Sequence, residues 1–93
     1  MKSYEDFTHE QRELSLTIAN TRELYDRGQE IVNMVMKKDI VLFDVLFSSS
    51  TFKTFARFCH QYYNKRYGSL PLSVTDREDV VKSYLYDEIT ERM

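Results

Sequence analysis

The chain has 93 residues, 42% hydrophobic and 30% charged, with a net charge of −2 and a pI of about 5.6, which suits one folded core and is short for two. Its single cysteine, Cys59, excludes an internal disulfide, and two glycines, one proline and two alanines leave too few turn residues for a many-stranded sheet. The longest apolar run, Ile40 to Phe47, is interrupted by Asp44 and falls far short of the roughly 20 residues that a membrane-spanning helix needs.

The first six residues hold no apolar stretch behind Lys2, so no secretory leader is expected, and the lone thiol suits a reducing, cytoplasmic setting. Thr8 and Gln11 stand at capping-box spacing. The threonine hydroxyl can take an orphan amide while the glutamine side chain reaches back. From there Leu14, Ile18, Thr21, Tyr25, Gly28, Val32 and Val35 alternate in steps of four and three, with Leu24, Ile31 and Met34 widening the stripe. That period predicts an amphipathic helix over about 8–38. Two places interrupt it: Asn20-Thr21, where a second capping spacing begins, and Gly28, which costs ~1 kcal/mol against Ala in a helix interior.

Residues 40–47 are too few for periodicity to classify. With no second strand to pair with them, they are expected to form two buried helical turns. Ser48-Ser49-Ser50 offers N-cap residues, and the next helix is predicted over 51–67, closed by Gly68 at the position after its last turn. Phe52, Phe55, Ala56, Cys59 and Tyr63 form its apolar face, with Phe58 and Tyr62 extending it. Lys53, Arg57, His60, Gln61, Asn64 and Lys65 occupy the remaining arc, where His60 is expected to be solvated. Pro71 makes 69–73 a linker. Thr75 with Glu78 then marks the start of a last helix, 75–92, with Val80, Val81, Tyr84, Leu85 and Ile89 facing inward. The expected architecture is an all-α bundle of four to five helices in a single domain over 1–93.

Charge falls in blocks. Residues 1–47 hold nine acids and six bases, 73–93 hold six acids and three bases, and 48–72 hold Lys53, Arg57, Lys65 and Arg66 with no acid. The basic island is expected to pair with its acidic flanks once the helices pack, each exposed pair contributing under ~1 kcal/mol.

Catalysis without a cofactor needs a nucleophile or a proton-transfer pair held by a third group. Cys59 and His60 are sequence neighbours, so on a helix they point about 100° apart, and Cys59 sits among apolar residues as a small hydrophobe. His9 and Glu13 have the spacing of one metal edge and lack a third ligand. Two glycines forty residues apart cannot form a phosphate-cradling loop. No enzymatic activity, metal or cofactor is therefore expected.

The remaining expectation is a module that binds another protein as an inhibitor, adaptor or regulatory subunit, with self-association as a further way to support so small a core. Thirteen Phe and Tyr rings are many for that core, and aromatics are common at interfaces. Low Ala, Gly and Pro with abundant Tyr, Phe, Lys and Asp resembles the composition of small virus-encoded proteins that inhibit host machinery. The candidate partner-binding residues are Lys53, Arg57, His60, Asn64, Lys65 and Arg66 with Tyr62 and Tyr67. The alternative is a nucleic-acid-binding regulator, in which 40–47, the serines and the helix at 51–67 act as a helix-turn-helix and the same cations meet phosphates.

Overall fold

The Thr8–Gln11 pair does start the first long helix. In the computed structural model, which describes residues 4–37 and 50–92, Thr8 Oγ1 accepts from the Gln11 amide at 3.2 Å and Gln11 Oε1 accepts from the Thr8 amide at 2.9 Å. Both halves of the capping box are thus made. The same Gln11 side chain is fully buried and donates its Nε2 to the Asp76 carbonyl at 3.1 Å. One residue therefore caps a helix and ties it to the last one. Ahead of it, a short 3₁₀ turn (Tyr4–Asp6) folds Phe7 into the core, with Tyr4 edge-on to Phe7 and Arg12 over the Tyr4 ring.

Four α-helices follow: α1 (His9–Asn20), α2 (Arg22–Lys37), α3 (Ser50–Tyr67) and α4 (Val74–Arg92). The long amphipathic segment breaks at Thr21, whose extended backbone (φ −110°, ψ 113°) ends α1, while its carbonyl accepts the Tyr25 amide as α2 begins. That break resets the helical phase. The expected stripe through Tyr25 is corrected: Leu24 is fully buried and Tyr25 is 41% exposed. Gly28 interrupts nothing. The helix runs through it, and a Cβ there would meet Tyr84 Cε1 at 2.6 Å, so the missing side chain is where the Tyr84 ring packs.

Helix α3 begins at Ser50 and ends where expected. Gly68, at φ +100°, donates its amide to the Asn64 carbonyl, a backbone conformation that a residue with a Cβ adopts at a cost. Helix α4 starts at Val74, one residue earlier than expected, with its cap two residues before Thr75. Ser73 Oγ accepts the Asp76 amide at 3.1 Å, so Ser73 is the cap, placed directly after the Pro71 turn.

Every pair among the four helices is in contact, and the core lies where their apolar faces meet. Leu14 and Ile18 of α1, Leu24 and Val32 of α2, Phe52 and Cys59 of α3, and Leu85 and Ile89 of α4 are fully buried. Burial of such side chains is the main favourable term, at about 1.5–3 kcal/mol each. The architecture is the all-α bundle read from the sequence. Residues 40–47, and with them the first half of the helix-turn-helix reading, lie outside the described residues. No helix among the described residues is long and apolar enough to cross a membrane.

Candidate functional site

The eight residues singled out in the sequence divide into three groups. Lys53, Arg57 and Lys65 stay together. With Gln61 they are spaced four apart on α3, so they rise about 18 Å along it within an arc of about 120°, and all four are exposed. Arg66 is exposed too, but nine residues from Arg57 it lies about half a turn round the helix. The basic island is a three-cation arc with one cation elsewhere.

The second group, His60 and Asn64, belongs to the fold. The expectation that His60 is solvated is corrected: it is buried, at 8% exposure. The linker after Gly68 folds back over it, so that His60 Nε2 donates to the Leu70 carbonyl at 2.8 Å and Asn64 Oδ1 accepts the Leu70 amide at 2.8 Å. Leu70 thereby has both backbone groups satisfied and its side chain in the core. On the other ring nitrogen, Arg77 Nη1 approaches His60 Nδ1 at 3.5 Å. A guanidinium only donates, so this arrangement fixes the tautomer with the proton on Nε2. Arg77 Nε is buried with no hydrogen-bond partner among the described residues.

The third group is aromatic. Tyr62 is half-buried against the core. Tyr67 is 60% exposed and lies tilted against Tyr63, ring centroids 5.1 Å apart at 52°. The two rings wall a depression of about 250 Å³ whose other side is α1, through Leu16, Thr17 and Asn20. Leu16, 48% exposed, had no place in the apolar stripe.

A larger recess lies between α2 and α3. It measures about 360 Å³ and is lined by Arg27, Glu30 and Ile31 from α2 and by Ser50, Thr51, Thr54, Phe55 and Phe58 from α3. Its α3 wall adjoins the cationic arc, because Thr54 and Phe58 fall on the same side of the helix as Gln61 and Lys65. Arg27 brings a fourth cation from across the seam, its guanidinium carbon 3.9 Å from the Phe58 ring centroid. The sequence reading missed Arg27 because it sought binding cations only in the acid-free block 48–72. The phase of α2 was the available signal: with Leu24, Gly28 and Ile31 inward, Arg27 falls at the edge of the buried face.

The expected pairing of the island with the acidic flanks is not seen among the described residues. The ion pairs there are His9–Glu13 and Arg22–Asp26, each within one helix and exposed. Packing four short helices buries their apolar stripes and leaves the charges radiating outward. For the other chemistry-bearing groups, Cys59 is fully buried on the core face, and burial pushes its thiol up to about 12, against a weaker opposing pull from Arg27. It is a protonated core residue at neutral pH. His9 meets Glu13 at 3.7 Å, with no third ligand gathered around them among the described residues.

No protein-family model, no curated protein and no solved structure matches this chain.

Proposed function

We propose that this protein is a non-catalytic binding module, an inhibitor, adaptor or regulatory subunit that acts by occupying a surface of a larger protein through the outer face of α3. One observation carries this reading. Lys53, Arg57 and Lys65 stand exposed along one arc, none in an ion pair among the described residues, beside a recess whose floor is aromatic. Exposed cations beside an apolar floor make a protein interface selective, since the charges orient the partner and the rings supply the contact area. Two of the groups able to do covalent chemistry are spent on the fold: Cys59 in the core, His60 on the linker. That supports binding over catalysis.

The test is site-specific photo-crosslinking in extract of the native host, treated with nuclease. A photoreactive residue replacing Gln61, on the arc, is expected to give a discrete protein adduct. One replacing Thr90, exposed on α4, is expected to give none. Adducts from both positions alike, or from neither, would sink the reading. A nucleic-acid adduct formed at Gln61 in untreated extract, with no protein adduct left after nuclease, would move the protein to the regulator class.

A further inference from the structure

We infer that the recess between α2 and α3, with the cationic arc beside it, is a docking groove for an acidic segment of a partner protein. This rests on the binding-module reading above and names the chemistry of its partner. The geometry begins at Arg27. Its guanidinium lies over the Phe58 ring at 3.9 Å. Stacking of that kind uses the flat face of the group and leaves its N–H edge free to hold a carboxylate through two parallel bonds. The hydroxyls of Thr51 and Thr54 line the same recess, and Phe55 and Phe58 give it an apolar floor. An Asp or Glu side chain of the partner lays its aliphatic stem on those rings and its oxygens at Arg27.

Outside the recess, Lys53, Arg57 and Lys65 continue the positive charge for about 18 Å along α3. A partner segment therefore meets one ring-backed cation in a recess and a row of exposed cations beyond it. The first selects geometry and the row steers approach. The charge balance favours carboxylates over phosphates. Glu30 forms part of the recess wall, so a continuous phosphodiester backbone has to pass an acid, whereas a single carboxylate needs only the Arg27 edge of the recess. The acidic blocks at 1–47 and 73–93 further oppose a polyanion, and three exposed cations supply only a small counterion-release term.

The probe is a fluorescently labelled short peptide alternating Glu and Leu, compared with the same peptide carrying Gln for Glu and with a single-stranded oligonucleotide of equal charge. Anisotropy at low and physiological salt measures affinity, and amide nuclear magnetic resonance maps the contact. The Glu peptide is expected to bind saturably, shifting the amides of Thr51, Thr54 and Phe58 and the side-chain N–H of Arg27. Arg27→Gln should weaken it about fivefold, the effect of one partly exposed ion pair. Arg27→Lys should recover only part, since it restores the charge without the fork. Arg57→Gln with Lys65→Gln should weaken binding further, and Arg66→Gln, off the arc, should leave it unchanged. Circular dichroism checks that each variant keeps its helices.

Absence of saturable binding, or shifts centred on Leu16 and Tyr67, overturns the groove. Equal binding of the Gln peptide at the same amides overturns the acidic chemistry and leaves the binding-module reading standing. Tighter oligonucleotide binding through Arg27 and the arc overturns both.

Discussion

Helix α2 meets two neighbours along seams of opposite character. On the α4 side, Gly28 admits the Tyr84 ring to the helix backbone, and the polar edge above it is joined rung by rung. Gln29 Nε2 donates to Tyr84 Oη and to Glu88 Oε2, and Arg92 donates to Gln29 Oε1 and Asn33 Oδ1. Residues 29 and 33 face 84, 88 and 92, so spacings of four on both helices keep the partners in register. On the α3 side the same helix presents Arg27 and Glu30 to a recess bounded by Thr51, Thr54 and Phe58. Among the described residues, one seam consumes its polar groups in the fold, and the other leaves them without a polar partner. A small bundle has few contacts to spare, so an unclosed seam with a stacked arginine is where function is best sought.

The largest expected effect concerns the floor shared by the core and the open seam. Phe55 lines the recess and is still buried, so Phe55→Ala should destabilise by about 3–5 kcal/mol, measured by chemical denaturation. A loss below ~1 kcal/mol would mean that the recess has no floor and that the two seams do not differ as described. The next effect sets the seams against each other. Gly28→Leu must displace the Tyr84 ring, and overpacking of this kind costs about 1–3 kcal/mol even though Leu is the better helix former. Thr54→Leu, pointing into open space across the other seam, should change stability by no more than ~0.5 kcal/mol. Equal costs at the two positions would show that both seams are closed.

Much of the fold was legible from residues alone, and what escaped did so for identifiable reasons. The Thr8–Gln11 box, the Gly68 terminus and the Phe52/Phe55/Cys59 face are local or periodic signals, and each appears where expected. Thr21 was recognised as one of two break points. The consequence, a phase shift that turns Tyr25 out and Leu24 in, required knowing that the break was real. His60 was misplaced because its burial comes from a linker ten residues on, folding back to satisfy Leu70, and no helical wheel contains that contact. Ser73 outcompeted Thr75 as a cap, both being capable residues within one turn. The phase of α2 puts Arg27 at the edge of the buried face, but the recess depends on which face α2 turns to α3, a relation between segments that periodicity within one segment cannot express.

The smallest effect tests the closed seam through its titration. Burial is the main cause that raises the Tyr84 hydroxyl from an ordinary 10.0 to about 12, with the Gln29 hydrogen bond opposing and Glu88 adding to the rise. The Cys59 thiol rises from 9.0 to about 12, also chiefly through burial. Both groups are neutral when protonated, and both hold their protons longer in the folded chain than in the unfolded one. Between pH 9.0 and 12 the unfolded state therefore binds fewer protons, and stability falls as pH rises. The contribution is fully present below pH 9.0, begins to be lost there through Cys59, and is lost more steeply above pH 10.0 as Tyr84 joins. Melting temperature followed across this range should decline in those two stages. Cys59→Ala lowers the whole curve by leaving a gap in the core, yet it should remove the first stage. Tyr84→Phe should remove the second while costing only about 0.5–1.5 kcal/mol at neutral pH, because Gln29 keeps its bond to Glu88 at 2.9 Å. If Tyr84→Phe leaves the alkaline decline untouched, the ring is not packed on Gly28 and the seam with α4 is as open as the one with α3.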